Sequence, residues 1–250
     1  MRDLVLVEGP YVSSLVRALS ESLRAKIYRW DSVRGDDVEG MEALVVHPMA
    51  EPFEYYLNSA ISVSERISGR ARRIVLAVPY MGIKAEGRVL QYLAGGLDLM
   101  GADHVIVSDP LPEVVTALRT PLVAVSAYPE IAKWLSGKIV KMHVAAPPRL
   151  ENRAEAFAEL VGAELRVMPS DRLDELEVLD GEVLLWDLVT SCDELGKLMR
   201  LRAAYYAVPH IGCSEMLTDL PERIVASDSM DNPYSKITLA GALTSAALAL

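Results

Sequence analysis

Between Gly181 and Leu198 the chain reads GEVLLWDLVTSCDELGKL, and its polar residues are spaced as if for anion chemistry. Val183 to Trp186 is an apolar run of strand character, and a helical pattern resumes after Cys192. The connection between them holds Asp187, Thr190 and Ser191. In an α/β protein a strand that turns into a helix is where anions bind, because loop amides and the helix dipole face outward together. Thr190 and Ser191 could donate hydrogen bonds to a phosphate. Asp193 and Glu194 sit where that phosphate would rest. One carboxylate about 4 Å away opposes a phosphate charge by roughly 4 kcal/mol at an effective dielectric near 20. The connection also lacks the glycines that let such a turn bend with positive φ and approach a ligand closely. The layout is that of a phosphate turn, and the side chains are not.

Other residues could carry chemistry, each with a plainer alternative. Asp109 and Asp187 fall at C-terminal strand ends, where open α/β sheets place ligands, but Asp also caps helices well. Thr190 and Ser191 have the same two readings. His210 is either a site residue or a structural one. Trp30 is either core or a stacking platform for a base. Arg149 and Arg153 either hold an anion or are solvated charges at a helix start. His47, His104 and His143 show no metal spacing, so no metal site is expected. Cys192 opens a helix, which lowers a thiol pKa, but Asp193 and Glu194 oppose that, and no nucleophile is expected. Two cysteines, Cys192 and Cys213, make neither a disulfide framework nor a four-ligand zinc site. They point to a reduced, cytoplasmic setting.

Stepwise along the chain, apolar runs of strand length alternate with helical patterns, which means parallel α/β units. Strands are expected at Asp3–Glu8, Lys26–Trp30, Ala43–His47, Arg73–Pro79, His104–Ser108 and Leu122–Ser126. Helices are expected near Val12–Leu23, over a long stretch with Phe53, Tyr56, Leu57, Ala60, Ile61 and Ile67 at helical spacing, and at Arg88–Met100, Leu111–Leu118 and Pro129–Ser136. Gly137-Lys138 reads as a joint, giving domains of 1–137 and 138–238. The pattern then restarts with strand Val140–Ala145, helix Glu151–Val161, strand Glu164–Met168, an acidic connection from Ser170 to Asp180, and the Gly181–Leu198 stretch. Strands Ala203–Val208 and Arg223–Ser227 follow, with a loop through His210 and Cys213 between them. A closing helix over 239–250 could pack on the first domain. The similar layout of the halves suggests an internal duplication.

The bulk composition narrows the function. A chain of 250 residues with 51% hydrophobic content can bury one large core or two modest ones. A net charge of −10 argues against a nucleic-acid partner, which needs Lys and Arg on its phosphates. No apolar run is long enough to span a membrane. The strand-like LVLVEG near the start reads as fold rather than leader, again consistent with a cytoplasmic protein. Three Asn (Asn58, Asn152, Asn232) and one Gln (Gln91) are a bias seen in thermophile proteins.

Five strings in order carry a resemblance. They are VVHPMAEPFEYYLNSAISVSERI, RRIVLAVPYMG, GADHVIVSDP, VLLWDLVTSC and YSKITLAGALTSAALAL. Together they resemble the ribose-phosphate diphosphokinase (PRPP synthetase) family over nearly the whole chain. That resemblance implies two tandem phosphoribosyltransferase-like domains, each a mostly parallel sheet flanked by helices, around a shared active site. It implies transfer of diphosphate from ATP to ribose 5-phosphate with magnesium, and assembly as dimers or larger rings.

The family's functional residues are mostly replaced. Its Arg-Gln-Asp run matches Ala85, Glu86 and Gly87, with Arg88 at the next basic position. Its Asp-Leu-His motif keeps Asp109 but has Leu111 for the His. Its ribose-phosphate loop, Pro-Asp-Ala-Gly-Gly, matches Ala146 to Leu150 without the Asp or either glycine. Its mobile catalytic loop retains Arg172 alone. Its PRPP loop keeps Asp187 and one hydroxyl, Thr190 or Ser191. His210 matches a His in a Thr-His-Gly strand end, and Trp30 an adenine-stacking aromatic. The resemblance therefore implies vestigial candidates Arg88, Asp109 and His210, and ligand-binding candidates Trp30, Asp187, Thr190 and Ser191. Magnesium and ATP are implied only if the family activity is retained. The expected function is a non-catalytic homologue acting as regulator or assembly partner, in a homo-oligomer or with an active PRPP synthetase. The alternative is a divergent enzyme on a nucleotide or phosphorylated sugar at the crevice between the domains.

Overall fold

The computed structural model describes residues 3–82, 88–138, 143–175, 178–179, 181–215 and 221–250, apart from the side chains of 88–90, 93 and 221. The described residues form two compact units. One comprises Met1–Ser126, Ser229–Asp231 and Leu239–Leu250, and the other Ala127–Asp228 and Asn232–Thr238.

In the first unit, β1 (Leu4–Glu8) is an apolar strand with Leu6 and Val7 fully buried. Gly9 and Pro10 end it, and α1 (Ser13–Leu23) follows, burying Leu15, Val16 and Leu19 at helical spacing. The helix has no cap from its own N-cap residue, Val12. Instead Asp231 lends its carboxylate from far along the chain, accepting from the Ser13 and Ser14 amides at 3.1 Å each. A negative group there satisfies orphan amides and complements the helix dipole.

The unit continues through β2 (Lys26–Arg29), β3 (Glu42–Val46), α2 (Phe53–Ile67), β4 (Arg73–Val78), α3 (Arg88–Leu99), β5 (His104–Ser108), α4 (Pro112–Ala117) and β6 (Leu122–Val125). The sheet is wholly parallel, in the order β2-β1-β3-β4-β5-β6. Its central strands bury both faces, which is why ALVV and RIVLAV carry no polar alternation.

The second unit opens with α5 (Tyr128–Leu135), which packs on α6 (Glu151–Val161). That contact places α5 in this unit, upstream of the Gly137-Lys138 joint. Next come β7 (His143–Ala146), β8 (Glu164–Val167), β9 (Val183–Leu185), β10 (Leu188–Val189), α7 (Cys192–Met199), β11 (Tyr205–Ala207), β12 (His210–Ile211), β13 (Ile224–Ser227) and β14 (Ser235–Ile237). The larger sheet is parallel in the order β14-β13-β11-β9-β7-β8. Counted in chain order within each sheet, both run second, first, third, fourth, fifth, sixth. The two halves thus repeat one winding.

Two features depart from the sequence reading. The connection from Asp187 to Cys192 contains β10, and the loop through His210 contains β12. The two pair in parallel, Leu188 with His210 and Val189 with Ile211. Two-residue strands carry no periodicity to read. Leu173–Glu175, within the acidic connection, forms one turn of 3-10 helix. The last helix, α8 (Ala240–Ala249), packs on α1, β5 and β6. No helix of the described residues is long and apolar enough to cross a membrane.

Beneath α2 lies a buried histidine. His47 is fully enclosed; its Nδ1 donates to the Pro48 carbonyl, and its Nε2 lies 2.8 Å from Ser59 Oγ. Burial holds the ring's pKa down to about 4, only partly offset by the Pro48 carbonyl. The unfolded chain takes a proton on this ring near pH 6.5, whereas the folded chain resists until about pH 4. The ring's stabilising contribution is therefore complete above pH 6.5 and is lost as pH falls towards 4, by about 3 kcal/mol. Urea unfolding of the wild type at stepped pH should show this decline, and His47→Gln should flatten it between pH 6.5 and 5. An unchanged slope in the variant refutes the assignment.

Candidate functional site

Open α/β sheets bind ligands at the carboxyl ends of strands where the strand order reverses. In the second unit that point lies between β7 and β9. The loop after β7 carries Arg149, and the loop after β9 carries Asp187, Thr190 and Ser191. The sequence-proposed anion residues of this half therefore meet at the expected place, but each is engaged within the chain.

Asp187 is 6% exposed. Its Oδ1 accepts from the Tyr128 hydroxyl at 2.8 Å and from Arg153 Nη1 at 2.6 Å. It is neither a helix cap nor an open ligand group. Arg153, on the first turn of α6, is likewise drawn inward rather than solvated. Arg149 lies with its guanidinium 4.7 Å from the centre of the buried Trp186 ring, and its Nε is 3.6 Å from Asp171. Arg172, the remaining basic candidate, is exposed and pairs with Glu175 at 3.2 Å.

The turn itself is closed by a carboxylate. Glu194 Oε2 accepts from the Thr190 amide at 3.0 Å and from the Thr190 hydroxyl at 3.3 Å. Ser191 caps α7, its Oγ accepting from the Glu194 amide at 3.2 Å. This reciprocal pattern is a variant of the capping box, with the glutamate reaching one residue further back. Thr190 and Ser191 are thus cap and clamp residues, and the donors that would grip a phosphate grip Glu194.

The two cysteines, read as making no disulfide, are paired. Cys192 and Cys213 form a disulfide, with S–S 2.12 Å and Cα–Cα 4.8 Å. The cause is tertiary: β12 pairs with β10, which brings the residue two beyond β12 beside the first residue of α7. His210, on β12, is 4% exposed and faces Leu188 across the ladder, so it belongs to a buried strand rather than a loop.

The candidates of the first half are dispersed. Asp109 follows β5 with φ +47°; its amide donates to the Val125 carbonyl and its Oδ2 accepts from Ser108 Oγ at 3.2 Å. It does not cap α4, whose N-cap is Leu111. Trp30 follows β2, edge-on to Tyr55 with ring centres 6.4 Å apart, and its carbonyl accepts from Arg66. β2 and β5 are separated by three strands. Arg88 begins α3; its side chain, and Ala85, Glu86 and Gly87, lie outside the described residues.

A groove of about 1050 Å³ lies elsewhere in this unit, lined by Leu57, Ile61, Tyr92, Leu99, Ala102 and Pro121 among others. Ala102 and Pro121 lead into β5 and β6, so it lies towards the amino ends of those strands, away from the edge where such sheets bind ligands. It contains none of the proposed site residues. Among the described residues no group of three or more His, Cys, Asp or Glu could hold a metal ion.

Comparison with known proteins agrees on architecture. No family model matches the chain, and no curated protein matches it. Among solved structures it is similar to the crystal structure of phosphoribosylpyrophosphate synthetase from Mycobacterium smegmatis. The TM-score is 0.75 at 16% identity, covering 99% of this chain and 98% of that one. The chain has the PRPP-synthetase fold. At that identity the likeness speaks for the fold alone, and the side chains must speak for the chemistry.

Sequence reading missed Tyr128 and the clamp made by Glu194, and it offered Arg153 as an anion holder or a solvated charge at a helix start rather than as the partner of Asp187. Their test is energetic. Arg153→Met leaves Asp187 buried with Tyr128 as its remaining partner described above, and should cost about 2 kcal/mol in urea unfolding. Glu194→Ala removes the clamp and should cost about 1 kcal/mol. Losses below about 0.3 kcal/mol at both positions contradict the closed arrangement.

Proposed function

We propose that this protein is a PRPP-synthetase homologue of nucleotide metabolism that lacks diphosphokinase chemistry and acts as a regulatory or assembly partner. It associates with copies of itself or with an active synthetase. The observation that carries the reading is the Glu194 carboxylate in the Thr190–Ser191 turn. A ribose phosphate seated there needs the donors that Glu194 holds, and meets its negative charge. Magnesium fits no better, since Asp187 is held by Arg153 and Tyr128. Diphosphoryl transfer depends on positioned cations around a highly charged substrate. Replacement of donors in several loops at once removes more than any single loss.

A cytoplasmic setting remains part of this proposal. Intracellular proteins of hyperthermophiles carry disulfides, and the scarcity of Asn and Gln points to such a background.

The pure protein with ATP, magnesium and ribose 5-phosphate should show no turnover above the uncatalysed background. A ligand at 100 times its dissociation constant adds about 2.7 kcal/mol to stability. Ribose 5-phosphate and nucleotides should therefore leave thermal unfolding unmoved. Ordinary turnover, or a clear shift with a sugar phosphate, ends the proposal in favour of an enzyme.

A further inference from the structure

Both cysteines of the chain lie in one disulfide, and that disulfide ties the closed turn to the segment beyond β12. Its two ends differ. Cys213 is 1% exposed and sits in the apolar core of the unit, whereas Cys192 is only partly buried, between exposed Ser191 and Asp193 at the first position of α7. Cys192 is therefore the end nearer to solvent, and Cys213 the shielded one. The two-residue β10–β12 ladder, and the Gly212 amide donating to the Val189 carbonyl at 2.8 Å, also join these segments. A pair of strands this short is marginal without further support. The rest of the region is held differently. Leu195 and Leu198 of α7, together with Val189 and Ile211, are buried in a core cluster that includes Leu184, Tyr206 and Tyr234. Loss of the S–S bond removes a local tie and leaves that core in place.

We propose that the Cys192–Cys213 bond is a redox lock on the Thr190–Glu194 turn, opened by a dithiol reductant. The reductant's thiolate attacks Cys192 Sγ, the protein S–S bond breaks, and a mixed disulfide forms on Cys192. The Cys213 sulfur leaves as a thiolate and takes a proton. The reductant's second thiol then displaces Cys192, which also leaves as a thiolate and is protonated. The protein disulfide gains two electrons and two protons, and the dithiol becomes a disulfide. The oxidised form holds the turn closed against β12, and the reduced form frees the β10–α7 connection from the residues after β12. The inference stands apart from the functional reading, because it concerns the mobility of the turn and not whether any ligand enters it.

Amide hydrogen exchange of the full chain, oxidised and after dithiothreitol in native buffer, tests it. Reduction should go to completion without denaturant. Exchange at 188–194 and 210–213 should rise by about tenfold or more, while the strands β9, β11 and β13 keep their protection. Reoxidation should restore the original pattern. The double variant Cys192→Ser, Cys213→Ser should reproduce the reduced pattern in either buffer. Three results overturn the proposal. They are a disulfide that resists reduction until the protein unfolds, exchange that accelerates across the whole unit, and exchange unchanged by reduction. An effect of dithiothreitol that persists in the double variant also overturns it.

Discussion

Parallel strands bury both faces, and the crossovers that join them must cover the sheet with helices. Everything else in each unit follows from this constraint. It makes the strands apolar throughout, as in Leu44–Val46 and Leu76–Val78. It sends each connection out at the carboxyl edge, where the only polar groups that can gather are those of loops and helix starts. It also leaves a reversal in strand order, between β1 and β3 in one sheet and between β7 and β9 in the other. These two points are where the fold could hold a ligand.

Each has been filled from within. At the first, Gly9 passes so close to β3 that a Cβ would meet the Val46 carbonyl at 2.7 Å and His47 Cδ2 at 2.9 Å. The Gly9 amide donates to that carbonyl, and His47 is enclosed as a neutral ring. At the second, Trp186 is covered by Arg149, Asp187 is answered by Arg153 and Tyr128, and the turn is clamped by Glu194. A buried charge or donor without a partner costs more than the bond it could make. Polar groups gathered in loops at such a point are therefore expected to satisfy one another, as these do.

A shared fold does not fix a site, because the two rest on different residues. The winding depends on apolar volume along strands and helices, which tolerates replacement of one hydrophobic side chain by another. Anion binding depends on a few donors aimed at one point. A likeness at TM-score 0.75 with 16% identity shows the first requirement met by largely different residues.

The alternation of apolar runs with helical patterns was legible, and it placed the longer strands and α1, α2 and α6 within a residue or two of where they lie. Those elements are local: a strand of four or more residues or a helix of three turns shows its period in the chain itself. The acidic character of the Thr190–Glu194 turn was legible for the same reason, since its residues are neighbours. The Tyr128–Asp187–Arg153 contact, the loan of Asp231 to the start of α1, the β10–β12 ladder and the Cys192–Cys213 bond were not. Each joins residues about 20 to over 200 positions apart, and only the packing of strands and helices brings them within reach. Composition and period along the sequence determined the layers of this protein; what its loops hold was decided by tertiary structure, because a hydrogen bond or a disulfide depends on distance in space and leaves no period in the chain.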